Sequence, residues 1–169
     1  MKFFISFIFF LFSLNLYAKS IATINFEKIY ESSIALNDYV KDIENYKKNQ
    51  EKELKKIEKN LNKEKKELDS SKIILSEEEF DKKLVNYQEN VRKYQEKIDF
   101  INNEIYNKFE SGKLVIRKEV IKILQDIAIE KNLDIIFDSN DYLIAIKDID
   151  LTGQVIRIIN SDLKNINLN

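Results

Sequence analysis

The chain has 169 residues, a formal net charge of −1, 44% hydrophobic and 34% charged residues, no His, Cys or Pro, and two glycines. Without His and Cys it offers no thiol or imidazole chemistry, no disulfide and almost no route to zinc, haem or iron–sulfur binding; two isolated glycines cannot build a phosphate loop. The even charge balance argues against nucleic acid, and the shortage of turn residues points to long helices joined by few turns.

The first element, MKFFISFIFFLFSLNLYA (1–18), reads as an export leader. Lys2 is the positive start, Phe3 to Leu16 the apolar run, and Leu16 and Ala18 the −3 and −1 positions of a cleavage site after Ala18. A retained anchor is the alternative, but the run is shorter than the roughly 20 residues a spanning helix needs. Cleavage removes one lysine and no acid, taking the formal charge from −1 to −2.

IATINF (21–26) alternates and carries β-branched residues, so it predicts a short strand, followed by a helical turn over EKIYESS. A long helix is expected from about Leu36 to about Leu68. Its seam is Leu36, Val40, Ile43, Lys47, Gln50, Leu54, Ile57, Leu61, Glu64 and Leu68. Lys47, Gln50 and Glu64 interrupt that seam with polar groups and are expected to loosen it. DSSKIILSEEEF (69–80) then breaks and restarts the pattern. Ser76 with Glu79 is a capping box, and Leu75 with Phe80 a hydrophobic staple.

The second helix repeats apolar residues at steps of four and three: Phe80, Leu84, Tyr87, Val91, Tyr94, Ile98, Ile101 and Ile105. Two arms with matching seams and a short tip predict an antiparallel hairpin, each arm roughly 50 Å long at about 1.5 Å per residue. Beyond Ile105 an extra four-residue step leads to Phe109, Gly112 and Ile116, and the apolar stripe then widens through Leu114, Val120, Ile121, Leu124 and Ala128. A stripe that wide belongs to a globular core, which places the boundary between stalk and body near Ser111–Gly112.

LDIIFDSNDYLIAI (133–146) reads as strand, turn, strand, with Ile135, Ile136, Phe137, Leu143, Ile144 and Ile146 making both strands apolar on both faces. Thr152 is expected to cap a last helix and Leu151 to staple to Ile156. The early strand and this late pair can share a sheet only if the hairpin is an insertion. The expected class is therefore α+β. A leader occupies 1–18, a β-containing body 19–35 and 112–169, and a helical hairpin 36–111 with its tip near 69–76.

This layout resembles the Skp/OmpH family of periplasmic chaperones. The specific parts are IATINFEKIYES, the Gly112-Lys113-Leu114-Val115 entry, the Leu133–Asp138 strand and the Asp148–Thr152 approach to the last helix. The resemblance implies a homotrimer in which strands from three subunits complete a small β-barrel body. Ile24, Phe26, Ile135, Ile136, Phe137, Leu143 and Ile144 are the candidates to build it. It also implies three hairpins around a cavity that holds unfolded outer-membrane β-barrel proteins, with no ATP, cofactor, metal or catalytic residue. Peripheral membrane contact stays open. The basic positions proposed in some members for lipopolysaccharide match Gln95, Ile105 and Tyr106 here, none of them basic, so lipopolysaccharide binding is not carried over.

Apolar residues off the seam are the candidates for client contact: Ile73 and Ile74 at the tip, Val85 on the arm, and Phe100 and Tyr106 nearer the body. For the last two, packing between subunits is the plainer reading. A structural coiled-coil spacer with one fixed partner shares every hairpin feature, yet gives no reason for an apolar sheet module at the two ends of the chain.

Overall fold

The structure is a computed structural model and describes residues 20–167. The leader and the cleavage site after Ala18 lie outside the described residues. Within them the chain runs β1 (Ile21–Ile24), α1 (Phe26–Ser32), α2 (Ile34–Ser71), α3 (Glu77–Lys131), β2 (Ile135–Asp138), two 3-10 turns (Ser139–Asp141 and Lys147–Ile149) and α4 (Thr152–Asp162).

Two helices supply the length. α2 and α3 pack antiparallel and form the predicted hairpin. α2 ends where serines turn inward: the Ser70 and Ser71 hydroxyls donate to the Lys66 and Leu68 carbonyls, and Ser71 O accepts from both Ile74 N and Leu75 N. Such local bonds compete with helix continuation, and the chain reverses there. α3 starts at the predicted capping box, with the Glu79 carboxylate accepting from the Ser76 N–H (3.3 Å) and hydroxyl (2.8 Å). It ends at Asn132, whose left-handed backbone (φ 52°) lets the Asn132 and Leu133 N–H groups return to Ala128 and Ile129 carbonyls.

The body forms around the roots of these helices. β1 and β2 pair in parallel, Ile21 opposite Ile135 and Ile24 opposite Asp138, so the two ends of the chain meet as the insertion argument requires. A parallel pair needs a long crossover, and here that crossover is the hairpin itself. α4 packs against α1 and α3. Ile29, Ile116, Val120, Val155 and Ile159 are almost wholly enclosed, each stabilising the fold by about 1.5–3 kcal/mol on burial.

Three expectations change. Phe26 is the first residue of α1 rather than the end of a strand, because Asn25 caps that helix by accepting from Lys28 N. Thr152 does not cap α4: Asp150 accepts from its N–H, and the Thr152 hydroxyl accepts instead from Asn25 N at 2.9 Å. The second strand of the late pair does not form. Leu143 and Ile144, 100% and 90% exposed, lie between the two 3-10 turns outside any sheet. The Ser139–Asp141 turn follows β2 directly and leads the chain out of the two-stranded sheet before they are reached.

Candidate functional site

The hairpin has an inside and an outside. Ile43, Leu61, Leu68 and Ile101 are buried between the arms; most other seam residues are half-buried, and Val91 is slightly more open. The polar interruptions are not simple gaps. Glu64 accepts from Asn90 Nδ2 at 3.0 Å across the arms, so that layer is a satisfied cross-link rather than a loosened one.

Lys47 points to solvent, and its neighbour Tyr46 turns inward. The Tyr46 hydroxyl donates to Glu104, and this bond raises the phenol pKa, with burial adding to the shift. Lys108 sits 5.5 Å from the centre of the Tyr46 ring and 3.6 Å from Glu104. Where the sequence reading places Phe109 on the seam, Lys108 faces inward and Phe109 is exposed. The extra four-residue step in α3 rotates the seam by part of a turn, which brings the adjacent side chain to the interface.

Below this node the arms close tightly. A β-carbon on Gly112 would stand 2.8 Å from the Tyr39 ring and 3.2 Å from Leu36 Cδ1. Around it, Lys113 lies over both Tyr30 (5.3 Å) and Phe109 (5.4 Å), and Arg117 over Phe26 (4.8 Å). Asn160 on α4 ties the α1–α2 corner: its Oδ1 accepts from Ile34 N at 2.9 Å and its Nδ2 donates to Ser32 O at 3.0 Å. Neither Tyr46 nor Asn160 was singled out by the sequence. Tyr46 carries the signal of an aromatic beside a polar seam position, whereas Asn160 has none.

The sequence-predicted contact residues all lie outside the seam. Ile73 and Ile74 at the tip are 93% and 81% exposed, while Val85, Phe100 and Tyr106 range from 61% to 65%. Lys63, Lys66 and Ser71 line a shallow hollow with Ile74. The arm surface between these points carries paired charges such as Lys82–Glu78, Lys56–Glu53 and Glu89–Arg92–Glu96. The outside is thus a neutralised polar surface with separate apolar spots.

The body candidates divide. Ile24 and Phe26 belong to the chain's own core. Ile135 and Phe137 on β2 are partly open, Ile136 is half-buried, and Leu143 and Ile144 are bare. Beside β2 an open cavity of about 660 Å³ runs along α3.

This arrangement has relatives. A solved structure from Caulobacter crescentus CB15, an OmpH-like protein assigned as a candidate outer membrane chaperone, shares the fold at a TM-score of 0.77, with 14% identity over 90% of each chain. No curated protein matches the chain. The family model described as outer membrane protein (OmpH-like) matches residues 20–159, which takes in both strands, the whole hairpin and most of α4. The chain therefore belongs to the OmpH-like (Skp/OmpH) family of chaperones.

Proposed function

We propose that the protein is an ATP-independent, non-catalytic holdase of the periplasm. As a homotrimer it keeps unfolded outer-membrane β-barrel proteins from aggregating by enclosing them between its helical arms. The observation that carries this reading is the separation of roles on the hairpin. The seam satisfies itself, so the exposed apolar spots at Ile73, Ile74, Val85, Phe100 and Tyr106 are not needed to hold the arms together. A holdase requires weak, distributed contacts of this kind rather than one deep pocket.

In this proposal residues 19–35 and 112–169 form the body through which the copies associate. β2 and residues 143–146 present apolar surface that a body of this size leaves uncovered. Subunit association is the economical way to cover it.

The test removes the arms. Deleting 47–102 and joining Tyr46 to Asn103 through a short Gly/Ser turn leaves the Tyr46–Glu104 bond just below the cut and the body core untouched. The shortened chain is expected to stay folded and trimeric by light scattering. It should no longer suppress aggregation when an unfolded β-barrel membrane protein is diluted from urea. Ile73→Ser, Ile74→Ser and Val85→Ser together should weaken holding while sparing helix content. An armless body that holds client as well as the intact chain sinks the assignment. A chain inactive even when intact is a spacer.

A further inference from the structure

Few polar bonds tie the two helices of the hairpin to each other. Every ion pair on the arms joins residues three or four apart in one helix. Among the described residues, two side-chain hydrogen bonds cross between the helices: Tyr46 to Glu104 near the root, and Asn90 to Glu64 toward the tip. These clasps stand about 27 Å apart along α2, at about 1.5 Å per residue.

Between them the seam is thin. From 47 to 60 on α2 and from 91 to 100 on α3 no residue is buried. Gln50, Leu54, Ile57, Tyr94 and Ile98 are half-buried, and Val91 is 38% exposed. Ile43 and Ile101 are buried on the root side, and Leu61 and Leu68 on the tip side. The outer face of the same α2 stretch weakens it further. Residues 47–60 carry six lysines against three glutamates, with Lys48, Lys52 and Lys56, and again Lys55 and Lys59, one helical turn apart. Lys56–Glu53 is the one ion pair within the stretch among the described residues. Half-covered apolar contacts, a polar seam residue and like charges in register make this section easier to open than the closed sections on either side.

We infer that the middle of each arm opens: residues 47–60 separate from 91–100 while both clasps hold, and Leu54, Ile57, Val91, Tyr94 and Ile98 then face unfolded client. This rests on the holdase reading proposed above and adds a hidden surface to the exposed apolar spots. The opening lies within one arm, between its own two helices, and needs no swing of the arm on the body. Its occupant is an unfolded polypeptide, because the surface exists only while the helices are apart and has no fixed shape for a folded partner to match. Client shifts the arm toward the open form by binding that form alone. Without client the seam recloses and the apolar residues are covered again.

The experiment combines amide exchange with photo-cross-linking. In the intact, unsubstituted mature chain, amides in 47–60 and 91–100 should exchange about tenfold faster than those in 61–68 and 36–46. Gln50→Leu, which fills the seam, should slow that exchange several-fold. The photo-cross-linker p-benzoylphenylalanine is then placed at Tyr94 in the seam and, separately, at exposed Phe100. An unfolded β-barrel membrane protein diluted from urea is the client. Client adducts are expected at both positions, and Gln50→Leu should reduce those at Tyr94 while sparing those at Phe100. Because exchange is read on the unsubstituted chain, the bulk of the probe cannot create the opening it reports. Uniform exchange along the arms overturns the inference. Client adducts at Phe100 with Tyr94 adducts confined to α2 of the same chain overturn it too, and leave the holdase reading standing. Absence of client adducts at both positions, in a chain that does not suppress aggregation, overturns both.

Discussion

Gly112 of α3 faces Tyr39 of α2 so closely that a single added carbon would lie 2.8 Å from two atoms of the tyrosine ring. The root of the hairpin is therefore set by the absence of a side chain, and the arms leave the body at the spacing this contact permits. Gly153, in the first turn of α4, offers a built-in contrast, since its nearest neighbour is Arg157 Nη1 at 3.9 Å.

Gly112→Ala should destabilise the protein. Overpacking costs about 1–3 kcal/mol, against a gain of about 1 kcal/mol from helix propensity, for a net loss of about 1 kcal/mol. Thermal unfolding should show a midpoint lowered by a few degrees. Gly153→Ala should be neutral or slightly stabilising. In a Tyr39→Leu background the penalty at Gly112 should shrink, and an undiminished penalty would point to backbone strain instead.

The two ends of α1 should each depend on a side chain from the far end of the chain. Asn160→Ala leaves Ile34 N and Ser32 O without their partner, and Thr152→Val removes the acceptor for Asn25 N. Each should cost about 1–2 kcal/mol in urea unfolding. Because Thr152 is 1% exposed and its replacement nearly isosteric, that loss should appear with an unchanged slope against denaturant.

Tyr46→Phe removes the hydroxyl and keeps the ring under Lys108. With Glu104→Gln it forms a double-mutant cycle, and a coupling of about 0.5–3 kcal/mol is expected for groups sharing one bond. Amide exchange should accelerate first around residues 43–47 and 101–108. Strict additivity of the two changes would mean that the bond contributes nothing to arm pairing.

Acid should loosen the arms before it loosens the body. Hydrogen bonding to Arg92 holds the Glu89 carboxyl down at about 2, from 4.5, and Glu79 is lowered by its bonds to Ser76. A carboxyl depressed in the folded state contributes stability that is complete above its unfolded pKa and is lost as pH falls through the folded value. Helix content should therefore be flat above about pH 5 and decline toward pH 2. Both groups are exposed, so the decline should be shallow. Glu79→Gln should remove part of it near the tip, as read from amide exchange at 76–82. A decline that begins in the body peptides instead would contradict the assignment.

The sequence by itself determined the hairpin, its two seams and the restart at Ser76, because heptad spacing and capping are local, and chain neighbours suffice to express them. It also showed strand patterns at 21–26 and within 133–146, at opposite ends of the chain, which can share a sheet only if the hairpin is an insertion between them. Only the tertiary structure decided which side chain fills each interrupted layer. Lys47 yields to Tyr46 and Phe109 to Lys108, because an inserted step rotates one helix against the other by an amount the single helix does not reveal. The tertiary structure alone also placed Gly112 against the Tyr39 ring and gave Thr152 and Asn160 partners more than a hundred residues away. Residues 142–146 carry a strand's sequence in full. Whether a strand forms depends on a free edge within reach, and the Ser139–Asp141 turn leads the chain out of the sheet before they are reached.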